Sequence, residues 1–264
     1  MIRRRAKSSI PNSAGGNIRR LPPRLPAEQF WGLAFVTFLI LQVPVLRMPI
    51  RFLSTWAHEM GHGLGAIIIG GEFISLQITE RFGGLAVSQN AQTPLRAIGI
   101  AGGLLGPAIL GAMTIVLVRG LNWYRVATGL LTVSLLLTQI WAADGFTRIV
   151  LGVAAVAFGL ATWKLPNRPL LYLAHIVALA FSLDALTGFG YFFMGGGNVA
   201  GQMYRSDTGQ MADLLGGPHW LWGGLLLVLS VVITVASVLL SDAWARRRLA
   251  KRGPQPRLQG GPIR

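Results

Sequence analysis

The run His58-Glu59-Met60-Gly61-His62 sets two imidazoles four residues apart, with a carboxylate beside the first. On a helix, positions i and i+4 share one face, so His58 and His62 can grip a single metal ion. Glu59 then stands beside the ion's open position and can act as general base on a metal-bound water. Imidazole ligands and hydrolytic chemistry point to one Zn2+. The chain has only four His, two of them in this run. With as few Glu, chance would produce the pattern in roughly one sequence in a thousand of this length. The bland alternative is a pair of packed histidines, but ionisable side chains in an apolar segment are costly and mark function by default.

A zinc site that keeps an open position for water needs a third protein ligand. There is no cysteine, so Asp, Glu and His are the candidates. Asp184 lies deep in the apolar run 178–186 with no basic neighbour in sequence. A carboxylate there must protonate or find a cation, which a metal would supply. Asp144 is the alternative third ligand, although it is also well placed to cap a helix starting near Phe146. His175 and His219 are the remaining options.

These groups must be held by elements suited to lipid. The chain has 264 residues, 52% apolar and only 12% charged, with a net charge of +15. Seven basic residues precede Phe30 and seven follow Ala243, so the basicity lies in two tails around an apolar body. This excludes an ordinary soluble globule and gives no reason to expect a nucleic-acid partner. We expect an all-α polytopic membrane protein of about seven (six to eight) transmembrane helices, over 30–46, 52–70, 95–118, 124–142, 146–163, 169–190 and 218–240. It would be a multi-pass protein of the cell or plasma membrane. Residues 1–28 read as a disordered basic arm, 29–241 as the membrane domain and 242–264 as a disordered basic tail. The economical partner for the tails is anionic lipid. Seven spans put the tails on opposite sides, whereas the positive-inside rule favours one side for both.

Between the second and third spans, Ile74, Leu76 and Ile78 alternate with Ser75, Gln77 and Thr79. That period of two reads as a strand, and Gly83-Gly84 as a turn into a second strand over 85–89. The expectation is a small membrane-associated β-hairpin at about 72–89. Gly99/Gly103 and Gly102/Gly106 are small residues at a spacing of four, suited to close helix packing in lipid. The run Gly195-Gly196-Gly197-Asn198 reads as a flexible turn.

Taken together, the chain resembles the intramembrane metalloproteases of the site-2 protease class, and more narrowly the M50B-like branch of peptidase family M50. The resemblance rests on residues 53–62 around the His-Glu-x-Gly-His run, then Gly70-Gly71, then Ala101-Gly102-Gly103-Leu104-Leu105-Gly106-Pro107. Two later segments follow in order, 182–186 around Asp184 and Ser206-Asp207-Thr208 through Trp222-Gly223. The resemblance implies His58 and His62 as zinc ligands and Glu59 as catalytic base. Well-studied site-2 proteases take their third ligand from a Leu-Asp-Gly motif, where this chain has Ala143-Asp144-Gly145; the M50B-like branch instead implies Asp184. It also implies that hairpin 72–89 can offer an edge to an unwound substrate helix.

The function expected is an intramembrane zinc metalloprotease that hydrolyses peptide bonds of membrane-embedded proteins or peptides. The alternative is a protease-like binding or adaptor protein without peptidase activity. A transporter has less in its favour, since no inverted repeat is visible.

Overall fold

A computed structural model describes residues 25–89, 94–199 and 202–250. Most of the two expected tails, 1–24 and 251–264, lies outside the described residues. The fold is all-α with two small hairpins. Helix α1 (Ala27–Gln42) meets α2 (Pro44–Ile68) at a bend of 100°. Pro44 opens α2 at a position where its missing N–H costs nothing. Strands β1 (Glu72–Ile78) and β2 (Gly84–Gln89) follow. Then come α3 (Arg96–Ile115), ending in a π-helical turn Val116–Gly120, and α4 (Tyr124–Leu137), ending in a 3-10 turn Thr138–Ile140. The remaining elements are α5 (Gly145–Lys164), α6 (Asn167–Thr187), α7 (Phe189–Phe192), β3 (Gly196–Val199), β4 (Gln202–Arg205), α8 (Asp207–Leu215) and α9 (His219–Ala250).

All seven apolar segments are helical, in an all-α polytopic fold. Four described helices are single, long and apolar enough to cross a membrane, and the bent α1–α2 pair makes a fifth if it is one span. The segment Tyr124–Ile140 is apolar but shorter. Helix α9 runs to Ala250, through the start of the segment expected to be a disordered tail. The outward faces carry large apolar side chains such as Trp163, 76% exposed, and Leu239, 64% exposed, which suits lipid contact rather than water.

The bundle has two distinct ends. At one, Arg119 donates to Asp242 at 2.7 Å and stacks over the Phe30 ring, joining the end of α3 to the start of α1 and the end of α9. Arg248 donates to the Leu121 carbonyl, Tyr172 to Gln29, and Arg125 to the Leu165 carbonyl. The start of α1 and the end of α9 therefore lie at the same end. At the other end sits the hairpin, as the alternation predicted. Its strands pair antiparallel, Glu72 opposite Gln89 through Ile78 opposite Gly84. An irregularity between Phe73 and Ser75 shifts the phase, so Phe73 is buried and Ile74 half-exposed.

The run 195–198 is not simply a turn. Gly196–Val199 pairs with Gln202–Arg205 as a second antiparallel hairpin. Gly196, at φ 150°, allows the close strand approach: a Cβ there would lie 2.4 Å from the Tyr204 carbonyl oxygen.

Candidate metal centre

The seam between α2 and α3 fixes the His-Glu-x-x-His helix in place. A Cβ on Gly61 would sit 2.0 Å from the Gly102 carbonyl oxygen, and one on Gly106 would sit 2.4 Å from that of Ala57. The small residues at a spacing of four on α3 thus pack against the motif helix itself. This close approach lets His62 Nδ1 donate to the Gly99 carbonyl at 2.9 Å. A carbonyl only accepts, so that nitrogen carries the proton and Nε2 presents its lone pair.

His62 Nε2 lies 3.2 Å from His58 Nε2. Asp207, at the start of α8, completes the group: Oδ2 is 3.0 Å from His58 Nε2 and Oδ1 is 3.3 Å from His62 Nε2. Among the described residues this is the one cluster of three ligand-type groups that could hold a metal. Three electron-rich atoms this close need a proton or a metal ion between them. Zinc–ligand distances near 2.05 Å make the edge of a tetrahedral site about 3.3 Å. The separations of 3.0, 3.2 and 3.3 Å match that edge, so the donor set fits a zinc ion. Asp207 is held from several directions. The Ser206 side chain caps α8 by accepting from the Gly209 N–H, Thr208 donates to the Met194 carbonyl at 2.8 Å, and Tyr191 donates to Asp207 at 3.4 Å.

Glu59 is 5% exposed and flanked by β2. A Cβ on Gly84 would lie 2.2 Å from Glu59 Oε1, and the Ala86 backbone N–H interacts with the same carboxyl. The register explains this. Leu76 bonds through its N–H to Trp141 and through its carbonyl to Ala143, on the side away from β2. Its cross-strand partner Ala86 therefore also turns its N–H and carbonyl outward, toward the site. Cavities of about 600 Å³ and 380 Å³ share His58, Glu59, Gly84 and Tyr191. The larger runs along β2 to Asp207; the smaller runs to the α1–α2 bend.

The two acidic residues expected as third ligand are placed elsewhere. Asp184 lines the smaller cavity with Glu59 but is not among the three converging groups. Arg47 and Arg51, brought in by the α1–α2 bend, line that same cavity. Asp144 caps α5, accepting from the Thr147 N–H at 2.9 Å and hydroxyl at 2.8 Å. The Thr147 N–H bond holds its carboxyl below the usual carboxylate range. His175 is buried on α6, bonded to the Leu171 carbonyl, and His219 starts α9 beside Gly195.

A family model, Peptidase M50B-like, matches residues 31–237. The chain belongs to the Peptidase M50B-like family. No curated protein and no solved structure matches the chain. Membership in this M50B-like family supports the class of intramembrane metalloproteases, and with the apolar helices it makes the chain an integral membrane protein. The matched stretch includes the histidine run, both hairpins and Asp207. It leaves out both basic tails.

Proposed function

We propose that the chain is an intramembrane zinc metalloprotease whose zinc is held by His58, His62 and Asp207. The observation that carries this reading is the triangle of donor atoms at 3.0–3.3 Å, with Glu59 buried beside it. Zinc bound there would supply Lewis acidity, lowering the pKa of a water and polarising a carbonyl. Glu59 takes the proton from the attacking water and returns one to the leaving amine. Its low exposure keeps bulk water from competing. The Gly99 carbonyl orients His62 through its second nitrogen. The substrate is a membrane protein or peptide whose span unwinds along the outer edge of β2. The Ala86 carbonyl is then available for strand addition, and the absence of a side chain at Gly84 leaves room for the Glu59 carboxyl beside the strand.

The test is metal content and cleavage of a reporter span by the purified full chain in proteoliposomes. Glu59→Gln should keep zinc and lose activity by about 10²–10⁴-fold, the range for a positioned acid–base group. Asp207→Ala should lose zinc, whereas Asp184→Asn should keep it. Cleavage at the parent rate by Glu59→Gln would refute the mechanism. Parent-like zinc affinity in Asp207→Ala would refute the ligand set.

A further inference from the structure

The two ends of the bundle differ sharply in charge. Arg119, Arg125, Lys164 and Arg168 lie at the end where α1 starts and α9 finishes, and both basic tails connect to that end. Arg246, Arg247 and Arg248 of α9 lie there too, and eleven more Lys and Arg adjoin that end in sequence, before Leu25 and after Ala250. Only Arg81, Arg96, Arg148 and Arg205 belong to the hairpin end, together with five acidic residues: Glu72, Glu80, Asp144, Asp207 and Asp213. Arg47 and Arg51 line the inner cavity between the two.

The metal centre is not midway. His62 bonds Gly99 and its ring packs on Gly103, about 5–10 Å along α3 from Arg96 and about 25–30 Å from Gly120. Basic residues in short loops and near span ends are retained on the cytoplasmic side, where anionic headgroups also attract them.

We infer that the basic end sits in the anionic cytoplasmic leaflet and that the metal-site cleft opens to the opposite, extracytoplasmic face. This resolves the conflict of the two tails: with α1–α2 as one broken span and the shorter α4 crossing beside the four long helices, six crossings put both on the cytoplasmic side. Resting on the protease reading above, the bond cut lies in the half of the substrate span remote from the cytoplasm.

The chain has no cysteine, so single substitutions report cleanly. Glu80→Cys lies in the exposed turn of the first hairpin, and Asn167→Cys is exposed between α5 and α6. The full chain is labelled in intact spheroplasts with a membrane-impermeant maleimide, then again after permeabilisation. Glu80→Cys should label to near completion before permeabilisation and Asn167→Cys only after it. Labelling of Asn167→Cys in intact spheroplasts, or protection of Glu80→Cys until permeabilisation, would overturn the orientation. Neither outcome depends on zinc or on proteolysis, so the orientation and the protease reading can fail separately.

Discussion

Substituting Gly103 by alanine tests whether the α2–α3 seam positions the metal centre. A methyl group there would lie 2.2 Å from both Cε1 and Nε2 of the His62 ring. Ordinary carbon contacts begin near 3.5 Å, so the ring must retreat by about 1.3 Å. It cannot do so while Nδ1 holds the Gly99 carbonyl at 2.9 Å. Either that bond breaks or Nε2 leaves the point where His58 and Asp207 converge. Loss of such an orienting contact costs about 10–100-fold in metal affinity, or about 1.4–2.7 kcal/mol. The assay is zinc affinity of the purified chain by competition with a chromophoric chelator, alongside thermal unfolding of the zinc-free forms. Gly32→Ala is the control, because a Cβ there meets nothing within 4 Å. It should leave affinity unchanged. If Gly103→Ala binds zinc within twofold of the parent, the glycine is not what lets His62 reach the centre, and the reasoning fails.

Three further outcomes follow from the same geometry. Gly84→Ala should push the Glu59 carboxyl aside and lower kcat by about 10²-fold, the cost of a misplacement near 1 Å, with metal content unchanged. Thr147→Val removes bonds to Ile78 and Asp144, and the loss of a buried partner should lower stability by about 1–3 kcal/mol in denaturant titration. The Asp144 carboxyl lies below its ordinary range in the folded chain. Its contribution is therefore full above the unfolded carboxylate pKa and is lost as pH falls through the folded value. Asp144→Asn should flatten that acid limb of the stability profile.

Much of this was legible in the residues, for physical reasons that differ from element to element. The histidine run and hairpin 72–89 are local patterns, where helix and strand periods place side chains without reference to the rest of the fold. The third partner of the histidines is a long-range fact. Asp207 sits directly after a capping serine, so in sequence it reads as an ordinary acidic residue of a first helical turn. Its trace was the segment Ser206-Asp207-Thr208 within the family resemblance. Asp184 attracted attention because a lone carboxylate in an apolar helix needs a cation. In the fold it shares a cavity with Arg47 and Arg51, whose approach depends on a 100° bend that no periodicity announces.

The donor triangle has a mechanical consequence as well as a chemical one. His58 and Asp207 stand about 150 residues apart in the chain, so an ion shared between them acts as a clip closing a very long loop. At a free zinc concentration a hundred times its Kd, such a clip adds about 2.7 kcal/mol to whatever fold requires it. That gain belongs to the docking of α8 against the α2–α3 pair. Chelation should therefore loosen the Asp207 side of the molecule first, and show as faster amide exchange over α8 while the glycine seam stays protected.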